Sequence, residues 1–293
     1  MLNSPLSEPL LSNPAFSGAY DCEQIRLNYK KQLNYDFSSF SYNARIEKYK
    51  SSASILLTNL IEGKSINTLN IKGIFSKEVQ INKRNILYFA FEAAYFQQHI
   101  FTDNLIFRHM ADPMNQTYTN AAYLYNFEPV YRHDFAAGLL YFRPDVRTGI
   151  SLQNISALYN PDEKLPILPT VNFHFGKSFR LNQTKKEVLK KIIIPEVFIQ
   201  YKPNNLRFAY GASIYTDHVR GSFFIKQSIK GQSYSPAANI QVHYGAFSFG
   251  YGYEIMLNKY ILKPVSSHSA LLIYNFGCTD KRNEKNTIFC KAF

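Results

Sequence analysis

The chain has 293 residues, with 33 Lys and Arg against 21 Asp and Glu (net charge +12), 22 Tyr and 24 Phe, and no Trp. That length holds one large domain or two ordinary ones, and the aromatic weight favours strands. No run approaches the roughly 18 consecutive apolar residues of a membrane helix, which excludes a helical membrane protein, and the basic residues are too dispersed for nucleic-acid binding.

The opening "MLNSPLSEPLL" has no basic region and is interrupted by Pro5, Glu8 and Pro9, unlike a signal peptide. "LLSNPAFSGAY" (Leu10 to Tyr20) reads as an ordered turn that docks somewhere. Asn13-Pro14 initiates it, Gly18 allows a positive backbone angle, and Phe16 and Tyr20 supply apolar anchors. From Ile25 onward the chain alternates with a period of two almost to its end. "IRLNYKKQL" sets Ile25, Leu27 and Tyr29 against Arg26, Asn28 and Lys30. Further on, Phe40, Tyr42, Ala44 and Ile46 oppose Ser41, Asn43, Arg45 and Glu47. In "VNFHFGKSFRL", Val171, Phe173, Phe175, Phe179 and Leu181 oppose Asn172, His174, Gly176, Ser178 and Arg180. "HYGAFSFGYGYEI" (His243 to Ile255) reads as one more run. Short polar turns separate the runs at "LNYD", "RPDV", "KPNN" and "DHVRG". Longer connections are expected over residues 101–117, 156–169 and 182–191.

Two all-β architectures produce such alternation. In a soluble sandwich the apolar faces of two sheets meet. In an outer-membrane barrel the apolar face meets lipid and the polar face lines a lumen. Aromatic-rich apolar faces and the lack of any fully buried strand favour the barrel. The reading is therefore an all-β, up-and-down antiparallel transmembrane barrel of about 14 strands. Residues 1–22 form an ordered N-terminal segment, 23–277 the barrel and 278–293 a C-terminal tail.

Motifs for chemistry are absent. There is no phosphate-binding loop, no His-Glu-x-x-His among the seven histidines, and the serines flanking His268 face away from it on a strand. The expectation is no enzyme, no cofactor and no metal. Cys278 and Cys290 bracket a polar loop and are candidates for a disulfide in an oxidising envelope, with Cys22 either free or the partner of one of them. Basic loops such as "KKEVLKK" suit contact with anionic lipid or lipopolysaccharide.

The order of several motifs resembles the PorP/SprF family, outer-membrane barrels of the type IX secretion system in the Bacteroidota. Asn13, Pro14, Ala15, Phe16, Ser17 and Gly18 fill its Asn-Pro-Ala-aromatic-Ala/Ser-Gly signature. "LTNLIEGKS" (Leu57 to Ser65) and "DFAAGLLYFRPDVRTGISLQNI" (Asp134 to Ile155) resemble later segments of the family. "SHSALLIYNFG" around His268 and the closing "CKAF" resemble its end, with Ser267, Ser269 and Lys291 departing from the usual Gly, Glu and Pro. The resemblance implies a leader upstream of Met1 and an outer-membrane location. It implies export and anchoring of a large type IX secreted adhesin through its C-terminal sorting domain, alongside other secretion components. Arg26, Asn28, Arg45, Glu47, Asn172, His174 and Arg180 are candidates for holding a plug or cargo segment, against the plainer reading that they only hydrate the lumen. A porin-like channel or hydrophobic-solute transporter is the competing function.

Overall fold

The structure, a computed structural model, describes residues 8–20, 22–63, 65–82, 84–101, 128–158, 168–181, 191–203, 205–216, 218–230, 232–259 and 261–276. The alternating runs become strands β1 (Glu23–Gln32), β2 (Tyr35–Ile46), β3 (Ser51–Glu62), β4 (Ile66–Gln80), β5 (Ile86–Ile100), β6 (Val130–Phe142) and β7 (Val146–Gln153). They continue as β8 (Thr170–Lys177), β9 (Phe179–Arg180), β10 (Ile192–Lys202), β11 (Asn205–Tyr215), β12 (Val219–Ser228), β13 (Ser233–Tyr244), β14 (Phe247–Asn258) and β15 (Ile261–Phe276). Strands adjacent in the sheet pair antiparallel, and β1 also pairs with β15, Glu23 opposite Phe276, which closes the sheet on itself. Both β8 and β9 pair with β10 in one unbroken register, Glu196 opposite Gly176 and Ile192 opposite Arg180, with only Ser178 between them. The fifteen segments are thus fourteen strands.

Closure removes the unpaired edges that an open sheet would present, and it satisfies the backbone of every strand inside a bilayer. The period-two sorting then fixes which side chains face out. Leu27, Ile55, Phe75, Phe91, Leu139, Phe173, Ile214 and Phe249 lie on the exposed outer face. Their neighbours in sequence, Arg26, Asn28, Ser54, Glu92, His174, Ser213 and Ser248, are buried inside. Aromatic rings gather toward both rims on the outside. Phe247, Tyr274 and Phe276 pack together at the end where β1 begins and β15 stops, and Tyr95 stacks on Tyr131 toward the other. This is the arrangement of interfacial girdles.

The run from His243 to Ile255 is two strands, not one. It is cut by a two-residue turn in which Gly245 takes φ +58° and joins β13 to β14. Alternation carried on through the turn, so polarity alone gave no break.

Candidate functional site

The residues between Glu8 and Tyr20 do not trail from the barrel; they fill part of its interior. Pro9–Leu11 and Pro14–Ala19 form two short 3₁₀ turns, and Leu10, Ala15, Phe16, Ser17, Ala19 and Tyr20 are all buried, Phe16 to 1% exposure. The second turn begins with proline, whose fixed φ suits a first helical position. Asn13 caps it by accepting a hydrogen bond from the Ala15 amide at 2.9 Å. Leu10, Phe16, Ala19 and Tyr20 join a cluster with Leu56, Ile74, Tyr88, Leu140, Phe142, Ile194 and Tyr215. Burying a Leu or Phe side chain is worth about 1.5–3 kcal/mol. The segment is therefore held by its own apolar residues, at the end of the lumen where β1 starts.

Its polar contacts fix where it sits. Asn13 Nδ2 donates to the carbonyls of Leu139 and Ile150, at 3.0 and 3.3 Å, across the β6–β7 hairpin. Access to those carbonyls depends on two inward positions without side chains. A Cβ at Gly138 would lie 2.2 Å from Asn13 Oδ1, and one at Gly149 would lie 2.9 Å from Asn13 Nδ2. Gly18 does not take the positive φ expected of it; it is needed for close approach to the adjoining strands β4 and β5, where an added Cβ would lie 2.4 Å from Tyr88 Cδ1 and 2.7 Å from Ser76 Oγ. The N-terminal signature and the "GLLY…GIS" stretch, more than a hundred residues apart in sequence, are therefore two halves of one contact.

Around this seat, Ser17 Oγ lies 2.7 Å from Ser54 Oγ and 2.9 Å from Ser52 Oγ, and donates to Asn43 Oδ1 at 3.2 Å. Ser151 Oγ donates to the Ser12 carbonyl and Gln153 Nε2 to that of Leu11. Ser41 Oγ donates to the Glu8 carboxylate at 3.2 Å. Burial pushes the Glu8 carboxyl up to about 7, against the lowering pull of Arg26. Burial also raises the Tyr20 phenol well above its ordinary value.

The residues singled out in the sequence are distributed over this lumen unevenly. Arg26 lies over the Tyr20 ring at 5.7 Å. Arg45 donates to the Tyr20 carbonyl at 3.3 Å and pairs with Glu78 at 2.8 Å. His174 stacks on Phe16 with ring centroids 4.7 Å apart. These three touch the inserted segment. Asn172 bonds Ser151 and Gln200 within the wall, and Asn28 is buried nearer the opposite rim, beside the lysine pair Lys30 and Lys226. Glu47 sits in an exposed 3₁₀ turn and Arg180 is exposed at the rim. His268 faces outward between Tyr251, whose hydroxyl is 2.6 Å from its Nδ1, and Tyr253. Cys278 and Cys290 lie outside the described residues. Cys22 is disulfide-bonded. In a chain of three cysteines that bond competes directly with a Cys278–Cys290 pairing.

Three features carried no readable signal beforehand. Lumenal ion pairs join Arg147 to Glu196 and Lys72 to Glu92, the latter at 2.6 Å, and Lys30 and Lys226 share the carboxylate of Glu254. Each partner looks like an isolated polar residue in its own strand, and only the register brings the pair together. No group of three or more potential metal ligands occurs among the described residues.

The sequence matches the family described as "Type IX secretion system membrane protein PorP/SprF" over residues 6–274. The chain belongs to the PorP/SprF family. No curated protein sequence matches it. Among solved structures the fold is similar to Acinetobacter baumannii outer membrane protein Omp33 (TM-score 0.52, 8% identity), over 88% of this chain and 100% of that one. It is also similar to a deletion mutant of the TodX monoaromatic hydrocarbon channel (TM-score 0.54, 10% identity), over 92% and 94% of the two chains. At such identities the likeness is one of fold. This PorP/SprF protein is thus an outer-membrane β-barrel of a type IX secretion system, with residues 8–20 seated in its lumen.

Proposed function

We propose that this PorP/SprF barrel is a non-catalytic scaffold that helps export a large cell-surface adhesin and anchors it through the adhesin's C-terminal sorting domain. It works with other type IX components, and its basic loops contact lipopolysaccharide. The observation that carries the reading is that residues 8–20, which hold the motif resembling the family signature, occupy the lumen: Asn13, Phe16 and Ser17 are each bonded or stacked to the wall. A barrel that spends its defining motif on filling its own interior is suited to holding a partner rather than passing solutes. The lumen residues Arg26, Arg45 and His174 contact the inserted segment.

Purification of the tagged barrel from its own membrane tests this. One very large surface protein in stoichiometric amount, with loss of its display when the barrel is deleted, is the expected result. A well-defined open conductance in planar bilayers with no co-purifying surface protein would instead establish the porin-like or hydrophobic-solute channel.

A further inference from the structure

On the wall formed by β12 to β15, two rows of inward residues run side by side. Arg220, Gln241, Gly250 and Leu271 are successive cross-strand partners, and so are Ser222, Asn239, Gly252 and Ser269. Because β14 contributes glycine to both rows, these residues, together with Ile240 and Tyr251, line a void of about 30 Å³. Such a volume exceeds the 10–15 Å³ or so that one water requires.

The donors around the void are not used up. Arg220 is 4% exposed, and its Nη2 has no hydrogen-bond partner; Gln241 Nε2, directly across the ladder, has none either. Among the described residues no carboxylate forms an ion pair with Arg220, whose guanidinium rests against the Tyr215 ring at 4.6 Å. A buried, uncompensated guanidinium and an orphaned amide N–H are each costly. Both costs fall away if one acceptor of negative charge lies between them. Ser222 and Ser269 add hydroxyls to the same lining.

A second void, of about 20 Å³, shares Asn239, Gly252 and Ser269 with the first and is lined by Lys30, Lys226 and Glu254. There two lysines share a single carboxylate, leaving an excess positive charge beside the first void.

We propose that the Arg220–Gln241 void is a binding site for a small monovalent anion of halide size, chloride being the abundant one. It is held by the Arg220 guanidinium and the Gln241 amide, with hydroxyls of Ser222 and Ser269 completing the shell. The void's volume suits an ion of that size, and its donors do not suit a cation.

The test uses the full-length barrel in detergent. Sodium gluconate is replaced by sodium chloride at constant ionic strength while the thermal unfolding midpoint is followed. A saturable rise is expected, because a ligand that binds only the folded state stabilises it in proportion to its occupancy. Gln241→Leu should weaken the apparent chloride affinity by about tenfold, the scale of one hydrogen bond to a charged group. Arg220→Gln should abolish the response. Crystals grown in bromide should show an anomalous peak beside Arg220, a measurement that needs no variant and decides the matter if Arg220→Gln fails to fold. Identical midpoints in gluconate and chloride, an unchanged response in Gln241→Leu, or bromide absent from the void would overturn the site.

Discussion

Gly138 and Asn13 are in contact at the inner wall of the barrel: a Cβ on Gly138 would fall 2.2 Å from Asn13 Oδ1 and 3.0 Å from Pro14 Cγ. The backbone of β6 and the side chain of the N-terminal cap therefore share one space. Gly138→Val should unseat the segment, since overfilling a packed site costs about 1–3 kcal/mol. Limited proteolysis should cleave the variant within residues 8–20 while the wild type resists. Gly73→Ala, which meets nothing within 4 Å, should behave as the wild type. Equal protection of Gly138→Val and wild type would disprove the shared contact.

Ser17 is fully buried among Asn43, Ser52 and Ser54. Ser17→Val removes its hydroxyl and leaves those wall groups facing a methyl. A loss of about 1–3 kcal/mol is expected from unsatisfied buried polar groups. It should be read as faster amide exchange in the segment, with the strands themselves unchanged.

The Glu8 carboxyl, at about 7 in the folded protein against an ordinary 4.5, makes the seating pH-dependent. Between those values the seated segment binds more protons than the released one. Its seating is therefore strongest at low pH and weakens as pH rises through about 7, by at most roughly 3 kcal/mol. Arg26 and Ser41, which face the carboxylate, moderate the loss. Exchange protection of residues 8–20 should be higher at pH 5 than at pH 8.5, and Glu8→Gln should flatten the difference. A slope of the opposite sign would rule the mechanism out.

Because Cys22 is disulfide-bonded immediately before β1, non-reducing peptide mapping should join a Cys22 peptide to one containing Cys278 or Cys290. Recovery of Cys278 linked to Cys290, with Cys22 alkylatable, is the contrary result.

Much of the barrel was legible because lipid and lumen impose opposite chemistry on successive residues. Val171 to Arg180 alone reveals both faces of a strand and which is which. The inserted segment was legible only as a motif. Nothing in "SNPAFSG" says that its partners are Gly138 and Gly149, since a glycine that makes room for a distant side chain looks like any other. The Gly245 turn was hidden for a related reason, as its flanking Tyr244 and Phe247 are both exposed aromatics. Ion pairs such as Arg147 with Glu196 depend on strand register, which period-two patterning leaves unspecified from one strand to the next.

The inserted segment ends at Tyr20 and β1 begins at Glu23, so its tether to the wall is two residues long. Such a tether gives the segment an effective concentration at its own seat in the millimolar range or above. A free peptide of the same sequence and intrinsic affinity would have to match that concentration to take its place.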